Sequence, residues 1–411
     1  MLRKVFYNKI GLAAMLSCLL CCRLFSAQAQ YFSLDSNSNR VTMPFSFVRN
    51  MVIIKLKINN KGPYNFILDT GVGQMLITDP SLADSISSSI KRTIKISGFG
   101  EGQDYEAFVT SQINVQIKGM SSHYVTAAIL KKDFFGLSNY AGMHIHGLLG
   151  YDFFNRLAVR VDFSDSTITA FKPGKFTGFA NGIKLPITVE DNKPYLQTQV
   201  TCDDGTSTNA KLIVDLGAGH AMTLENVANK SAFSPKVIEG NLGVGIKGLI
   251  SGYLGRVKAV DIGKYKIKDL IASYPDDNYT KSLSIPRDGN LGVEVLKKFR
   301  IVFDYSNNAI YLKPTLGYNE PFEHDMSGLE YYASGEDLKH IIIDRVEPGS
   351  PGEAAGLEKD DEITAINFKP VSSMTIEQID DIFRSKDSRT LVLNIYHDQK
   401  FTTLITLKKR I

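Results

Sequence analysis

The sequence predicts a mainly β protein in which two related β lobes are followed by a small α+β domain. Three observations lead to this fold class. Short apolar runs separated by polar turns recur along the chain, two sequence blocks appear twice in the same order, and the C-terminal part has a different pattern of strands with an amphipathic helix. A chain of 411 residues is long enough to build more than one hydrophobic core.

The first 29 residues have the pattern of a secretory signal peptide. A basic start is followed by a short apolar run over residues 10–20 and by the small-residue sequence Ala27-Gln28-Ala29. We therefore expect a protein that is exported and cleaved, to act in the periplasm, in the cell envelope or outside the cell. Two alternatives remain open, an uncleaved membrane anchor and a lipoprotein modified at Cys18.

Charge and cysteine content exclude several classes of function once this segment is set aside. Four of the 47 basic residues and none of the 43 acidic ones lie in it, so the mature chain has 43 of each. A neutral chain argues against nucleic acid as the partner, and we expect no membrane span in the mature protein. Of the four cysteines only Cys202 remains, which excludes an intramolecular disulfide framework and a cysteine-based metal site.

The first repeated block places an aspartate at the end of a predicted hairpin in each lobe. The strand 52–58, a turn at 59–63 and the strand 64–68 lead to Asp69-Thr70-Gly71, and 146 residues later a similar hairpin over 195–214 leads to Asp215-Leu216-Gly217. Asp and Gly are poor strand formers, so each strand is expected to end there. Glycine after the acid permits a tight bend and close approach to the carboxylate.

The second repeated block supports a duplication of the whole lobe. Gly150 and Asp162 recur as Gly292 and Asp304, and both pairs have an offset of 142 residues. Two blocks in the same order at nearly the same offset indicate a unit of about 140 residues that occurs twice. We therefore predict lobes at residues 30–180 and 181–314. Glycine-rich stretches at 97–102 and 240–252 are predicted to form mobile hairpins.

The order of these blocks resembles the pepsin/retropepsin class of aspartic proteases in its duplicated single-chain form. The resemblance covers about residues 41–314 and implies an endopeptidase acting on polypeptides, with Asp69 and Asp215 as the catalytic residues. It also implies that Thr70, Gly71 and Gly217 shape the active site, with no metal and no other cofactor. The sequence departs from the family pattern at Leu216, where the family has a hydroxyl side chain that joins the two loops.

Two carboxyl groups at hydrogen-bonding distance suit this chemistry because they cannot both ionise. One keeps a proton and acts as general acid while the other acts as general base. Two alternatives remain open for Asp69 and Asp215: the acids only cap turns, or the chain is an inactive peptide-binding descendant that has lost part of its loop contact at Leu216. His144 and His146 lie close in sequence but lack further ligands at suitable spacing, so no metal site is predicted.

The C-terminal part resembles a PDZ domain of the kind attached to bacterial envelope proteases. After a linker at 315–325, the pattern G-S-P-x-x-x-A-G-L-x-x-x-D-x-I-x-x-I-N begins at Gly349, within a domain predicted at 326–411. The resemblance implies that a peptide tail adds to a sheet edge. Ser327-Gly328-Leu329 is the candidate loop for its carboxylate, and a helix over 375–383 is expected to line the groove. The alternative is a domain that serves only for packing.

Overall fold

A computed structural model describes residues 31–86, 90–96, 105–110, 113–225, 236–245, 248–276 and 285–411. The predicted signal peptide and the glycine-rich stretch 97–102 lie outside these residues. Within the described ranges, no helix combines the length and the apolar character needed to cross a membrane. The prediction of a mainly β chain is confirmed.

In the described residues up to 154, the chain contains a series of strands and three short helices. In chain order the strands are β1 (Ser33–Leu34), β2 (Arg40–Pro44), β3 (Ser46–Val48), β4 (Met51–Ile58), β5 (Lys61–Leu68), β6 (Met75–Ile77), β7 (Ile90–Ile96), β8 (Tyr105–Thr110), β9 (Ile113–Ile117), β10 (Met120–Val125), β11 (Ala127–Leu130) and β12 (Gly147–Leu149). The helices are α1 (Leu82–Ser85), α2 (Leu137–Ala141) and α3 (Tyr151–Phe154).

The middle of the chain repeats this type of structure with longer strands. The elements are β13 (Ala158–Asp162), β14 (Thr167–Phe171), β15 (Ile183–Pro186), β16 (Thr188–Glu190), β17 (Lys193–Thr201), β18 (Ser207–Val214), β19 (Met222–Leu224), β20 (Val237–Gly245), β21 (Gly248–Ile262), β22 (Tyr265–Pro275), β23 (Gly289–Leu291), α4 (Val293–Leu296), β24 (Phe299–Asp304) and β25 (Ala309–Pro314). The C-terminal elements are β26 (Leu329–Ser334), β27 (His340–Val346), α5 (Pro351–Ala354), β28 (Glu362–Ile366), β29 (Lys369–Pro370), α6 (Ile376–Phe383), β30 (Thr390–His397) and β31 (Gln399–Thr406).

The two hairpins that carry the aspartates belong to two different sheets with the same local topology. In the first sheet β4 pairs antiparallel with β5, and β12 pairs parallel with β5. In the second sheet β17 pairs antiparallel with β18, and β23 pairs parallel with β18. Strand β4 buries Leu56 and Ile58 and exposes Lys55 and Lys57, which is the alternation expected of a strand with one face on the core.

A third sheet combines strands from both halves of the chain. Its order is β15-β25-β24-β13-β14-β2, and β13 pairs antiparallel with β24 at its centre. The acids of the second repeated block have structural contacts here, since buried Asp162 forms an ion pair with Arg300 and Asp304 accepts a hydrogen bond from Asn307. The core is continuous across this sheet, where Phe154 and Phe303 pack edge to face with ring centroids 5.3 Å apart.

Several element boundaries differ from those predicted. The turn expected at 59–63 is confined to Asn59 and Asn60, both with positive φ, and β5 already begins at Lys61. Residues 315–325, predicted as a linker, contain Phe322, which is buried in the core shared by the first three sheets. The glycine-rich stretch 240–252 forms the β20–β21 hairpin in its described part.

The C-terminal sheet has the order β26-β27-β28-β30-β31, with β26 at one edge. Its core is a separate cluster that includes Leu329 of β26 and Ile379 and Phe383 of α6. Helix α6 begins with a capping box in which Thr375 accepts from the backbone of Gln378 and the Gln378 side chain accepts from the backbone of Thr375. The predicted helix therefore stands beside the predicted loop, as a PDZ fold requires.

Candidate active site

Asp69 and Asp215 sit where β5 and β18 end, each held by the parallel strand beside it. The Asp69 amide donates to the Leu149 carbonyl oxygen at 2.9 Å, and the Asp215 amide donates to the Leu291 carbonyl oxygen at 2.9 Å. These contacts fix the backbone of both acids with nearly identical geometry. They also explain why the first repeated block requires the second, which supplies β12 and β23.

The glycines of the second block are required by close packing against the aspartate loops. A methyl group at Gly150 would overlap the Val72 carbonyl oxygen, and one at Gly292 would overlap the His220 carbonyl oxygen. Only glycine permits this approach, because it has no Cβ atom.

The carboxyl groups of Asp69 and Asp215 lie close enough for Asp215 to raise the pKa of Asp69, and we refer to this pair as the dyad. Each acid also accepts a backbone hydrogen bond within its own turn, from Gly71 at 2.7 Å and from Gly217 at 2.9 Å. Each of these glycines faces the opposite acid, since a methyl group at Gly71 would lie 2.9 Å from both Asp215 oxygens and one at Gly217 would overlap the Asp69 carboxyl group. The structure therefore brings Asp69, Gly71, Asp215 and Gly217 together.

Thr70, in the first aspartate loop, forms two hydrogen bonds with the second aspartate loop. Its hydroxyl group donates to the Val214 carbonyl oxygen at 2.6 Å and accepts from the Leu216 amide at 2.9 Å. The Leu216 side chain cannot return these hydrogen bonds, and it is fully buried in the hydrophobic core instead. The loops are thus held by hydrogen bonds from one side and by apolar packing from the other.

Two asparagines that sequence reasoning missed join the halves of the site. Asn50 Nδ2 donates to the Gly219 carbonyl oxygen at 2.8 Å, and Asn192 Nδ2 donates to the Gly73 carbonyl oxygen at 3.3 Å. Each asparagine is the second residue of a two-residue β turn with positive φ. Their offset of 142 residues equals that of the second repeated block, and this spacing is the signal by which they could have been found.

A series of hydrogen-bonded polar side chains contacts Asp215 and has no counterpart at Asp69 among the described residues. The sequence analysis did not predict it. Asn290 Nδ2 donates to Asp215 Oδ2 at 3.2 Å, and Asn290 Oδ1 lies 2.9 Å from His220 Nε2. His220 Nε2 in turn lies 2.6 Å from Thr223 Oγ1. The residue at the matching position of the first half is Leu148, which has no polar side-chain atom. The two acids therefore have different surroundings.

The pKa of Asp69 is raised well above its usual range, first because burial disfavours the carboxylate and second because the charge of Asp215 repels it. Asp69 is only 8% exposed. Burial also raises the pKa of Tyr305, and the charges of both aspartates add to this effect, so Tyr305 stays neutral beside the dyad. Asp69 thus has the environment of a carboxyl group that keeps its proton near neutral pH.

In the C-terminal domain the candidate carboxylate loop lies beside the edge strand, but its amides already have acceptors. Ser327 and Gly328 both donate to Asp325 Oδ1, at 2.9 and 2.8 Å, and Leu329 donates to Ser327 Oγ at 3.1 Å. Ser327 is fully buried. A peptide carboxylate at this loop has to displace Asp325, which is a requirement that the sequence motif did not reveal.

Other residues singled out in the sequence have structural contacts. His146 Nδ1 accepts from the Asn65 amide at 3.1 Å, and the His146 ring lies 5.1 Å from that of Tyr64. Burial lowers the pKa of His146.

Comparison with family models agrees with this arrangement. Residues 54–153 match the model described as aspartyl protease, and residues 326–396 match the model of the PDZ domain. The first match contains Asp69, Thr70 and Gly71 and ends beside the Gly150 block, whereas Asp215 lies beyond it. The chain therefore contains a region that matches an aspartyl protease domain and a region that matches a PDZ domain, as the sequence predicted.

Proposed function

We propose that this protein is an aspartic endopeptidase that hydrolyses polypeptides with a water molecule activated between Asp69 and Asp215. The observation that carries this proposal is the placement of the two carboxyl groups at strand ends that face each other, each against the glycine of the opposite loop. The match to the aspartyl protease model supports the same class of reaction. No metal or other cofactor enters the mechanism, because the two carboxyl groups supply both the acid and the base.

The shared proton resides on Asp69 in this mechanism, and Asp215 is the base. Burial and the neighbouring charge raise the pKa of Asp69. Asp215 accepts hydrogen bonds from the Gly217 amide and from Asn290 Nδ2, and the second of these has no counterpart at Asp69, where the matching residue is Leu148. The pair titrates as a unit, so measured pKa values belong to the dyad.

In the first step Asp215 takes a proton from water as the water oxygen attacks the peptide carbonyl carbon, and Asp69 gives its proton to the carbonyl oxygen. The resulting diol collapses when Asp215 passes its proton to the amide nitrogen. The C–N bond then breaks, and one diol hydroxyl returns its proton to Asp69. The products are a carboxylic acid and an amine, and the dyad regains its starting protonation.

Cleavage of an unfolded protein from acidic to neutral pH tests the proposal. Replacing Asp69→Asn or Asp215→Asn is expected to lower the rate at least 100-fold, which is the lower range for loss of general acid or base catalysis. The exposed Asp84→Asn is the matched control, since it removes the same charge from α1. Equal rates for all three variants would refute a role for the dyad.

The competing function is peptide binding without cleavage, and Leu216 is the observation that favours it. A loop joined by hydrogen bonds from one side only gives the acids less support, and small displacements in an active site are costly for catalysis. A folded wild-type protein that binds a pepstatin-type inhibitor in calorimetry but cleaves nothing at any pH would establish this second function.

The proposal also covers export of the protein, the boundaries of its domains and the role of the PDZ domain. Residues 1–29 are removed, lobes at 30–180 and 181–314 form the protease part, and the domain at 326–411 holds substrate or a regulatory peptide. The protein then acts in the periplasm, in the cell envelope or outside the cell. N-terminal sequencing of protein expressed with its leader tests the first point. A start at Gln30 is expected, whereas a retained leader or a lipid on Cys18 would contradict it.

A further inference from the structure

The open edge of the PDZ sheet is covered by the first part of the same chain. The carbonyl oxygens of Tyr331 and Ala333 lie two residues apart on β26, so both point to the same side of the strand. The Tyr331 oxygen accepts from Arg49 Nη1 at 3.2 Å, and the Ala333 oxygen accepts from Asn139 Nδ2 of α2 at 2.8 Å. These are the acceptors that an added peptide strand uses.

The face of α6 that looks towards β26 is covered as well. Ile376 and Asp380 are four residues apart and therefore lie on one helix face. A methyl group at Gly142 would lie 3.5 Å from Ile376 Cβ and 3.7 Å from Ala333 Cβ, so the end of α2 touches both sides of the groove. We call the space between β26 and α6 the PDZ groove, and residues 137–142 with Arg49 the docking segment.

A buried ion pair fixes this arrangement. Arg49 binds Asp380 through two parallel hydrogen bonds of 2.9 and 2.7 Å, and the two side chains are only 7% and 12% exposed. The rings of Tyr140 and Tyr331 lie 4.7 and 4.8 Å from the Arg49 guanidinium. Removing one partner of such a pair leaves an uncompensated buried charge, so the docked state depends on Arg49.

We propose that the PDZ groove is an internal docking site for the docking segment, and that peptide tails with a free carboxylate enter it only after this segment leaves. The groove contacts on β26 and α6 and the loop amides bound to Asp325 all have partners within the chain. Peptide binding and docking therefore compete for the same atoms.

Opening of the groove is expected to affect the aspartate loop of the second half, because Arg49 and a residue that contacts this loop are neighbours in the same turn. Arg49 is followed directly by Asn50, which holds the Gly219 carbonyl oxygen at 2.8 Å. The same Asn50 accepts from Lys297 Nζ at 3.2 Å. A peptide that displaces Arg49 thus acts on the turn that supports the loop after Asp215.

The test measures peptide binding to the whole protein by fluorescence anisotropy, with Asp69→Asn in every sample so that the probe is not cut. The probe is a pool of fluorescein-labelled heptapeptides that are random in their last four residues and have free C-terminal carboxylates. Arg49→Met is expected to bind this pool at least tenfold more tightly than Arg92→Met, the matched control at an exposed position of β7. The same pool with amidated C-termini should not respond to Arg49→Met.

A disulfide that holds the docking segment in the PDZ groove is expected to have the opposite effect on peptide binding. Gly142→Cys combined with Ala333→Cys would place the two Cβ atoms about 3.7 Å apart, within the range of a disulfide. In the Arg49→Met background, the oxidised protein is expected to lose the peptide binding that the reduced protein has. The two measurements use the same substituted chain, so the backbone strain at position 142 is common to both. Mass spectrometry verifies the bond.

Each contrary result overturns the proposal. Equal binding by Arg49→Met and Arg92→Met, including no binding by either, would mean that Arg49 does not close a peptide site. Unchanged binding on oxidation, or two cysteines that never join, would mean that the docking segment does not occupy the groove. Neither readout depends on proteolysis, so these outcomes are separate from failure of the proposed enzyme.

Discussion

Thr70 and Leu216 occupy matching positions after the two aspartates, but they hold the loops by different means. Thr70 bonds to the Val214 carbonyl oxygen and the Leu216 amide, whereas the Leu216 side chain packs in the core. By the repeat of the two hairpins, the partners of a hydroxyl at position 216 would be the Leu68 carbonyl oxygen and the Thr70 amide. Leu216 therefore lacks the two hydrogen bonds that a hydroxyl side chain could form at this position, and its side chain is buried in the apolar core instead.

A comparison of Leu216→Thr with Leu216→Val tests whether the second half of this contact can form. The two side chains have nearly the same shape, so their difference isolates the hydroxyl group. We expect the Thr variant to be more stable than the Val variant by about 1 kcal/mol, the usual net value of a hydrogen bond. Urea unfolding gives the two free energies. A more stable Val variant would show that the loops cannot bond across position 216, and Thr70→Val provides the reference loss on the first side.

Asp152 of α3 should make stability depend on pH. Burial raises its pKa to about 6, and its Oδ2 has no hydrogen-bond partner among the described residues. The ionised form is penalised in the folded state, so the penalty is absent below the unfolded pKa of about 3.9, grows as pH rises to about 6 and is then constant. Asp152→Asn is expected to stabilise the fold by about 3 kcal/mol at pH 7 and by well under about 1 kcal/mol at pH 4. Thermal unfolding at both pH values measures this, and an equal effect at the two would contradict it.

The acids and glycines of the site were predictable because their signal is local and occurs twice. Asp69 and Asp215 each end an apolar strand before glycine, and that pattern can be read in a few residues. Asn50, Asn192 and Asn290 act on the opposite loop or on a neighbouring strand, and no local pattern separates them from ordinary turn or strand residues. Only the repeat offset distinguishes the first two.

Among the elements, the hairpins and the amphipathic helix were predictable from periodicity, whereas contacts between elements were not. Strand β5 begins earlier than expected because the Asn59-Asn60 turn needs only two residues with positive φ. The predicted linker is packed because Phe322 fits the core of the preceding sheets. Packing of this kind depends on the three-dimensional shape of the core, so the local sequence does not predict it.

The N-terminal cap of α6 gives a prediction at this scale. Thr375 and Gln378 bond reciprocally at the start of the helix that lines the PDZ groove. Thr375→Ala removes one of these bonds and is expected to cost about 1 kcal/mol. Hydrogen exchange should show faster opening of α6, and exposed Ser372→Ala should not change it. Equal exchange in both variants would mean that tertiary packing alone holds the helix.

At the scale of the whole molecule, the sheet built from both halves could not be predicted. The duplication implies two similar units, but nothing in either unit specifies that β13 pairs with β24. That pairing makes the centre of the sheet common to both halves, and the two repeated acids, Asp162 and Asp304, lie there.

This shared sheet predicts that the two halves unfold together. Val159 of β13 is fully buried in the common core. Val159→Ala is expected to lower stability by about 2 kcal/mol, since it removes buried apolar atoms and leaves a cavity. Native-state hydrogen exchange should show the same loss of protection in β5 and in β18. A loss confined to β5 would indicate halves that open independently.

The turn at Arg49 and Asn50 carries a consequence for how the chain tolerates insertions and deletions. Surface turns between strands usually accept extra residues. Here two adjacent residues with φ of 45° and 59° hold different parts of the molecule, Arg49 the PDZ domain and Asn50 the loop after Asp215. One inserted residue would rotate at least one of these side chains away from its partner. The length of this turn is therefore fixed by its contacts, whereas residues 203–206 between β17 and β18 are exposed and have more freedom to vary.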